Sequence, residues 1–177
     1  SRTGYTGEDG FELYSSDDVI CSIWDILIGA GVTPCGLGCR DTLRFEAGLP
    51  LYGHELADDI TPLEAGLGIF VKLDKPEFIG KEALVQQKAA GLTRKIVGIE
   101  LDDKAIPRAG YPVEADGVQV GEVTTGYRSI SLDKSVCFAM VAKEYSALGT
   151  RLDIHIRKKV FPGTVCKKRF YETRYKK

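Results

Sequence analysis

Residues 36–55 read Gly36-Leu37-Gly38-Cys39-Arg40-Asp41-Thr42-Leu43-Arg44-Phe45-Glu46-Ala47-Gly48-Leu49-Pro50-Leu51-Tyr52-Gly53-His54-Glu55, and the rest of the chain is organised around them. The first half of this stretch predicts a short helix, because one face collects residues at three- and four-residue spacing, namely Leu37, Arg40, Arg44 and Ala47. Gly48 is suited to end that helix. The remainder, rich in glycine and proline, predicts a turn followed by an extended segment.

The helix carries two arginines one turn apart, Arg40 and Arg44. Like charges at this spacing repel each other, so each guanidinium needs an anion. Asp41 and Glu46 can supply those anions inside the chain. Alternatively, a guanidinium is held ready for a carboxylate on a ligand, which its planar fork binds with two hydrogen bonds. From this stretch alone, internal ion pairs are the favoured interpretation.

Length and composition limit the possible functions. A chain of 177 residues suits one large domain or two small ones and can bury a sizeable core. The net charge is −1, with 28% charged residues, so no strong field indicates nucleic acid or anionic lipid as a partner. The sequence has no apolar run of membrane-spanning length and no basic-then-apolar targeting pattern at its N-terminus.

Cysteine and histidine do not predict a metal site. The cysteines are odd in number and lack a Cys-x-x-Cys pair, which argues against a disulfide framework and a zinc site. We expect most of them to be small buried hydrophobes in a reducing compartment. The histidines lie far apart in sequence, and we expect ordinary surface or hydrogen-bonded roles for them. These residues are Cys21, Cys35, Cys39, Cys137, Cys166, His54 and His155.

The glycine-rich segment 2–13 predicts turns that lead into a strand at residues 11–14. Glu12 and Tyr14 would share one face of that strand. Glu12 is either simply solvated or an acceptor for N–H groups of a ligand, with Tyr5 as a flat stacking or hydrogen-bonding surface. The segment by itself favours a solvated Glu12.

Local patterns predict four further elements in the first half of the chain. Good N-caps at 15–18 and apolar periodicity at 19–27 predict a helix that ends at Gly29-Ala30-Gly31, with Trp24 in the core. Thr61-Pro62-Leu63-Glu64 predicts a capping-box helix start, and residues 67–73 a short strand. A polar helix is expected from residues 78–82 to about Ala90, ending at Gly91.

From Thr93 onward the pattern changes to short alternating strands. The predicted strands cover 94–101, 119–125, 135–141, 152–156 and 160–165. Regular short strands of this kind predict a small antiparallel barrel or a Greek-key sandwich. The expected fold class is therefore α+β, with domains at 1–92 and 93–177. The basic, aromatic tail from Lys167 is either a solvated end or a segment folded back over a binding site.

Several blocks together resemble one family. Arg2–Glu12 resembles the Arg-Thr-Gly-Tyr-Thr-Gly-Glu-Asp-Gly-x-Glu signature of the aminomethyltransferases, the T-proteins of the glycine cleavage system. Cys39–Glu55 resembles the run that follows it there. Further blocks fall in family order, and the resemblance spans nearly the whole chain. These further blocks are Thr61-Pro62-Leu63-Glu64, Phe78-Ile79-Gly80-Lys81-Glu82-Ala83-Leu84, Ile106-Pro107-Arg108-Ala109-Gly110 and Gly121-Glu122-Val123-Thr124-Thr125-Gly126.

The resemblance implies a tetrahydrofolate-dependent transferase. Such an enzyme takes the aminomethyl group from the lipoyl arm of the H-protein, releases ammonia and leaves 5,10-methylene-tetrahydrofolate. By resemblance, Glu12 hydrogen-bonds the pterin ring, Tyr5 lines the same pocket and Arg40 meets the tail of the folate. Arg174 and Tyr175 in the C-terminal tail contribute to that pocket. The residue types agree, since pterin N–H donors suit a carboxylate and folate glutamates suit an arginine.

The resemblance also implies a partial enzyme. Family members are about twice this length, and the motif at Arg2 lies near their middle. The aspartate that orients or deprotonates folate belongs to the N-terminal half, so we expect no catalytic residue in this chain and inactivity in isolation. Residues 1–92 would be the C-terminal part of a mixed α/β folate-binding domain, followed by a barrel. The implied partners are the lipoylated H-protein and that N-terminal half, in the bacterial cytoplasm or the mitochondrial matrix.

Two other functions remain open at this point. The scaffold also serves other folate-dependent one-carbon transferases, such as demethylases, which share the blocks around Glu12 and Arg40. A non-catalytic folate-binding module is the alternative from a different class. One block departs from the family pattern: residues 125–132 read Thr-Gly-Tyr-Arg-Ser-Ile-Ser-Leu, where the family usually has Ser-Gly-Thr-x-Ser-Pro-Thr-Leu.

Overall fold

The computed structural model describes residues 1–173. Within these residues, three α-helices precede six β-strands. The helices are α1 (Asp17–Gly29), α2 (Leu37–Glu46) and α3 (Lys81–Ala90), and short 3-10 helices span Gly68–Phe70 and Lys143–Tyr145. The strands are β1 (Arg94–Leu101), β2 (Pro112–Ala115), β3 (Val118–Ser129), β4 (Lys134–Ala142), β5 (Arg151–Ile156) and β6 (Lys159–Cys166).

The six strands form a closed antiparallel barrel in the order β1-β4-β3-β2-β5-β6. Alternate residues point into its core, where Ile99, Val113, Val123 and Ile154 are shielded from solvent. This confirms the α+β class and decides for the barrel over the sandwich. The sequence did not predict β2, because it is only four residues long and begins with a proline. It pairs with β3 on one side and β5 on the other, so it closes the barrel.

Helix α2 ends as predicted and joins the barrel. Gly48 adopts a left-handed conformation, with φ 80°. The N–H of Gly48 donates to the carbonyl of Phe45 and that of Leu49 to Arg44, which is the Schellman pattern. Phe45 is buried against Phe138 of β4, with ring centroids 4.6 Å apart. The helix is thereby anchored to the barrel by its C-terminal end.

Two expected strands in the first half do not form. Residues 11–14 are not a strand, because Glu12 exchanges one pair of backbone hydrogen bonds with Ser1 and this pair is not extended into a ladder within the described chain. Residues 67–73 contain the 3-10 helix instead. Its backbone bonds run from Phe70 to Leu67 and from Val71 to Gly68, the short-range pattern of a tight turn.

The capping box predicted at residues 61–64 is confirmed in its hydrogen bonds, but the prediction that it starts a helix is wrong. The Thr61 N–H donates to the Glu64 carboxylate at 2.8 Å, and the Glu64 N–H donates to the Thr61 hydroxyl at 3.2 Å. The segment closes a single turn and no α-helix starts there, because Gly66 takes a left-handed φ of 76° directly after it. Helix α3 ends at Ala90 before Gly91, as expected.

Helix α1 forms at the expected position, but Trp24 is not in the core. The Trp24 side chain is 54% exposed, and the helix has no buried residue. The apolar residues of α1 therefore form a stripe that no part of the described chain covers. Across residues 1–173 no helix is long and apolar enough to cross a membrane.

The expectation of buried cysteines is wrong for three of them. Cys21, Cys35 and Cys39 are exposed, because they lie on or beside the uncovered surfaces of α1 and α2. Cys137 is buried in the barrel, and Cys166 is half-buried. Desolvation, with the nearby Glu100 charge as a smaller cause, raises the pKa of Cys166 to about 11. The barrel thiols are thus kept protonated.

The tail folds back over the rest of the chain as far as it is described. The N–H groups of Phe170 and Tyr171 both donate to the carbonyl of Glu46, at 3.0 and 2.8 Å. The Phe170 ring packs against Phe45 and Phe138. Arg174 and Tyr175, which we expect at the folate pocket, lie outside the described residues.

Candidate functional site

Arg44 is the centre of a buried network. Its guanidinium is fully buried and donates to Asp41 at 2.6 Å and to Glu55 at 2.8 Å. The Leu49 carbonyl and the Thr125 hydroxyl accept two further hydrogen bonds from Arg44, at 3.2 and 3.3 Å. A buried charge needs this degree of pairing to be tolerated. Arg44 therefore ties α2 to the following loop and to strand β3.

Glu55 completes the network from the loop side. One carboxylate oxygen accepts from Arg44 and from the Leu51 N–H, and the other accepts from the hydroxyls of Thr124 and Thr125 at 2.6 and 2.7 Å. Thr125 can therefore accept from Arg44 and donate to Glu55 with its single proton. All partners of this buried carboxylate lie within the chain, so its role is structural.

Asp41 links the network to the solvent-accessible side. The Tyr127 hydroxyl donates to one Asp41 oxygen while Arg44 binds the other. Burial acts to raise the pKa of Asp41, but the hydrogen bonds from Tyr127 and Arg44 and the Arg44 charge outweigh it, so the pKa lies below its usual value. Burial and the Asp41 carboxylate raise the pKa of Tyr127. The proton stays on the tyrosine, and the aspartate is ionised at neutral pH.

A cleft of about 360 Å³ opens beside this network. It is lined by Tyr5, Leu37, Gly38, Arg40, Asp41, Arg44 and Leu51. The Arg40 guanidinium lies over the Tyr5 ring, 4.5 Å from its centroid, a cation–π arrangement. The Tyr5 hydroxyl donates to the Pro50 carbonyl, which fixes the ring under the guanidinium. Two of the residues selected from sequence, Tyr5 and Arg40, thus meet in one cleft.

The two arginines of α2 have different partners. Arg44 takes Asp41, as the internal ion-pair interpretation expects. Arg40 is exposed and has no ion pair among residues 1–173. Glu46 is not its partner, because that carboxylate accepts from the hydroxyls of Ser129 and Ser131 instead. The Arg40 guanidinium therefore keeps hydrogen-bond donors for a ligand.

The structure does not bring Glu12 into the cleft lining. Its carboxylate accepts a hydrogen bond from the Thr3 hydroxyl, and its side chain is half-buried at the glycine-rich loop. The pterin contact of Glu12 stays a prediction. The described tail does reach this loop, since the Tyr171 hydroxyl donates to the Glu8 carboxylate at 2.6 Å.

The histidines have the ordinary hydrogen-bonded roles that we expected. The His54 Nδ1 atom lies 2.9 Å from the Thr124 carbonyl, which can only accept, so Nδ1 carries the proton. His155 pairs with Glu114 at 2.8 Å on the barrel surface. In the described part of the chain, no group of three or more His, Cys, Asp or Glu side chains is placed to hold a metal ion.

Sequence reasoning missed Thr125, Tyr127 and the role of Glu55. Glu55 lies eleven residues after Arg44 across an irregular loop, and no periodicity relates them. Thr125 and Tyr127 come from β3, in the block that departs from the family pattern. The available signal was the repulsion between Arg40 and Arg44, which required an anion for at least one of them.

Family models match both parts of the chain. A model described as the GCVT N-terminal domain matches residues 1–75. A model described as the glycine cleavage T-protein C-terminal barrel domain matches residues 94–172, the region in which the barrel is observed. The chain belongs to the glycine cleavage T-protein family. The resemblance of the Arg2–Glu12 and Cys39–Glu55 blocks to that family is confirmed.

Known T-proteins match the chain over its full length. An aminomethyltransferase of Alkaliphilus oremlandii is 55% identical over 181 aligned residues, which cover 100% of this chain and 49% of the relative. One from Caldanaerobacter subterraneus is 52% identical, with 100% and 48% covered. The crystal structure of the glycine cleavage system aminomethyltransferase T from Bartonella henselae superposes with a TM-score of 0.95 at 33% identity, covering 100% of this chain and 50% of that one. The chain spans about half the length of these T-proteins.

Proposed function

We propose that this T-protein chain takes part in tetrahydrofolate-dependent aminomethyl transfer from the lipoyl arm of the H-protein, with release of ammonia and formation of 5,10-methylene-tetrahydrofolate. The observation that supports this most is the pair Arg40 and Tyr5. An unpaired guanidinium over an aromatic ring, in a cleft, suits a ligand that has both a flat ring system and carboxylates. The bacterial relatives suggest a cytoplasmic location.

The residues around the cleft fit such a ligand in their chemistry. Arg40 offers a planar fork of donors to a carboxylate, and Tyr5 offers a flat apolar face. Arg44 is paired with both Asp41 and Glu55, so it adds no unpaired positive charge to the cleft floor. The folate, when bound, accepts the one-carbon unit. The residues of this chain bind and orient it, and we propose no proton transfer or covalent step for them.

The partners that we propose are the H-protein and the half of the T-protein that this chain does not cover. Support for the second partner comes from the uncovered apolar surface of the first half of the chain. Large apolar side chains are exposed on α1 and elsewhere in residues 1–92, namely Phe11, Leu13, Tyr14, Val19, Trp24, Ile26, Ile69, Phe70 and Ile79. Exposed large apolar side chains in such number are typical of a protein interface.

The first test is anaerobic titration calorimetry of tetrahydrofolate into the chain. Glu12→Ala should weaken binding by on the order of 1–3 kcal/mol, the cost of losing a charge-assisted hydrogen bond. Arg40→Lys should weaken it as well, because an ammonium cannot reproduce the bidentate fork. Arg151→Lys is the matched control, since that arginine pairs with Asp102 on the barrel surface, and its affinity should equal the wild type.

Unchanged tetrahydrofolate affinity in Glu12→Ala would mean that Glu12 does not contact the ligand. Unchanged affinity in Arg40→Lys would mean that Arg40 does not bind the ligand through its bidentate fork. If the chain alone does not bind tetrahydrofolate, the titration is repeated after addition of the half of the T-protein that this chain does not span. Turnover of that mixture with lipoylated H-protein supports aminomethyl transfer. Folate binding without turnover favours a binding module, and turnover of a methylated amine in its place favours a demethylase.

A further inference from the structure

The last described residues form a segment that crosses the end of helix α2. We call residues 168–173 the C-terminal strap; they run from the barrel to the glycine-rich loop of residues 2–13. The strap passes so close to Gly48 that a Cβ added there would lie 3.2 Å from the Cα atom of Arg169. Direct packing against the end of α2 therefore sets the path of the strap.

The strap is anchored by contacts that do not involve the Tyr171 hydroxyl. The backbone N–H groups of Phe170 and Tyr171 both donate to the Glu46 carbonyl, at 3.0 and 2.8 Å. The Phe170 ring stacks on the buried ring of Phe138, with centroids 5.3 Å apart. Removal of the Tyr171 hydroxyl should hence leave the strap in place on α2 and the barrel.

The glycine-rich loop packs against both the strap and α2. A Cβ added at Gly7 would lie 2.9 Å from the Ala47 Cβ atom and 3.0 Å from the Thr173 Cγ2 atom of the strap. The left-handed φ of 78° at Gly7 also favours glycine at this point. The next residue, Glu8, accepts a hydrogen bond of 2.6 Å from the Tyr171 hydroxyl. The loop is thus held to the strap by close packing and by one charge-assisted hydrogen bond.

Tyr5 belongs to the same loop and lies just before these contacts. Its ring lies under the Arg40 guanidinium, which is 4.5 Å from the ring centroid, and its hydroxyl donates to the Pro50 carbonyl. Only Thr6 and Gly7 separate Tyr5 from Glu8. Because Gly7 is packed tightly within this short link, we expect a displacement of Glu8 to displace the Tyr5 ring as well.

We propose that Tyr171 is a positioning residue for the cleft of Tyr5 and Arg40. Through its hydrogen bond to Glu8 it holds the glycine-rich loop against α2, and this keeps the Tyr5 ring under the Arg40 guanidinium. Its effect on ligand binding is exerted through Glu8 and the loop. The inference rests on the proposed function, since the ligand proposed for the cleft is tetrahydrofolate.

The first test measures the arrangement of the cleft without a ligand. The ring current of Tyr5 should shift the NMR signals of the Arg40 δ-methylene protons upfield, because the guanidinium lies over the ring. In Tyr171→Phe, which keeps the ring and removes the hydroxyl, these signals should move toward their positions in Tyr5→Leu. Tyr52→Phe is the matched control, since it breaks another tyrosine–carboxylate hydrogen bond, to Asp58, and should leave the Arg40 signals in place.

The second test measures tetrahydrofolate affinity by anaerobic titration calorimetry, with the half of the T-protein that this chain does not span added if the chain alone does not bind. Tyr171→Phe should weaken binding about tenfold, the factor that corresponds to one hydrogen bond to a charged group. Glu8→Ala should give the same loss, and the double variant should be no weaker than either single variant, because both changes remove one bond. Glu8→Gln keeps an oxygen that can accept from Tyr171 and should retain most of the affinity.

The two tests separate the positioning role from the proposed function. Unchanged Arg40 signals in Tyr171→Phe would overturn the inference, whether or not tetrahydrofolate binds. Equal affinity of Tyr171→Phe and wild type, or additive losses in the double variant, would overturn it as well. Absence of tetrahydrofolate binding in the wild type, even with the other half added, would contradict the proposed function instead, and the Arg40 signals alone would then decide the positioning role.

Discussion

The guanidinium of Arg44 and the carboxylate of Glu55 meet 2.8 Å apart, with the two side chains 0% and 2% exposed. This pair explains why residues 36–55 organise the chain. The helix brings the cation, the loop after Gly48 brings the anion, and Thr125 of the barrel bonds to both. The buried end of α2 holds the loop and the barrel together, while its other end presents Arg40 to solvent.

Arg44→Ala should lower the free energy of unfolding by about 3–5 kcal/mol, because it leaves the Glu55 carboxylate buried and unpaired. The measurement is urea unfolding followed by circular dichroism at neutral pH. The matched control is Arg151→Ala, which breaks a half-exposed pair with Asp102 and should cost no more than about 1 kcal/mol.

The double variant Arg44→Met/Glu55→Leu sharpens this test. If the cost of Arg44→Ala comes from an orphaned charge, removing both charges should recover a large part of the lost stability. Equal losses in Arg44→Ala and Arg151→Ala would contradict the buried network. A double variant that is less stable than Arg44→Ala would mean that packing matters more than charge at this position.

Sequence periodicity was sufficient for the elements that complete their contacts locally or within the barrel. β1 spans the predicted 94–101, and α3 ends at Ala90 before Gly91 as expected. Alternation of apolar residues reflects a core that the barrel supplies itself. Tyr5 and Arg40, which were selected through the family resemblance and not through spacing, line one cleft, and their contacts with folate stay a prediction.

Sequence reasoning was less successful where a contact depends on long-range geometry. The stripe on α1 predicted a buried Trp24, but periodicity does not say whether a covering element is present. The pairing of Arg44 with Glu55 depends on the path of an irregular loop. β2 is too short for periodicity to register, and its strand conformation comes from its neighbours β3 and β5.

Acid should destabilise the fold through a small set of carboxylates. The pKa values of Asp41, Glu46 and Glu64 are lowered in the folded chain, because hydrogen bonds outweigh the opposing effect of burial. Groups with a depressed folded pKa contribute stability above their unfolded values near 4, and that contribution is lost as the pH falls through the folded values. The free energy of unfolding should therefore decline below about pH 4.5.

Asp41→Asn tests this assignment. The variant should be less stable than wild type at pH 7, and its stability should fall less steeply in acid, since one depressed carboxyl has been removed. Asp116→Asn is the control, because Asp116 is exposed in a turn and its side chain makes no hydrogen bond or ion pair within residues 1–173. Urea midpoints between pH 7 and pH 3 provide the comparison, and parallel curves for Asp41→Asn and wild type would contradict it.

Gly121→Ala should damage the barrel, because β3 and β4 approach each other too closely there for a side chain. A Cβ at Gly121 would lie 2.2 Å from the Met140 carbonyl oxygen and 2.9 Å from Val141. We expect a loss of about 1–3 kcal/mol, the usual cost of overpacking. Gly29→Ala is the control, since nothing lies within 4 Å of the added Cβ and a helical alanine is favoured over glycine. Thermal unfolding should lower the melting temperature of the first variant and not of the second.

Trp24→Gln should leave the isolated chain as stable as wild type, within about 0.5 kcal/mol, because the side chain is mostly exposed and α1 buries nothing. If the α1 surface binds the half of the T-protein that this chain does not span, the same change should weaken that association, since a buried indole contributes strongly to an interface. Urea unfolding of the chain alone gives the first quantity, and titration of the separately produced half gives the second. A matched change on the barrel, Val160→Gln, also replaces an exposed apolar residue and should weaken neither. Loss of stability in the isolated chain after Trp24→Gln would instead mean that α1 is supported by contacts within this chain.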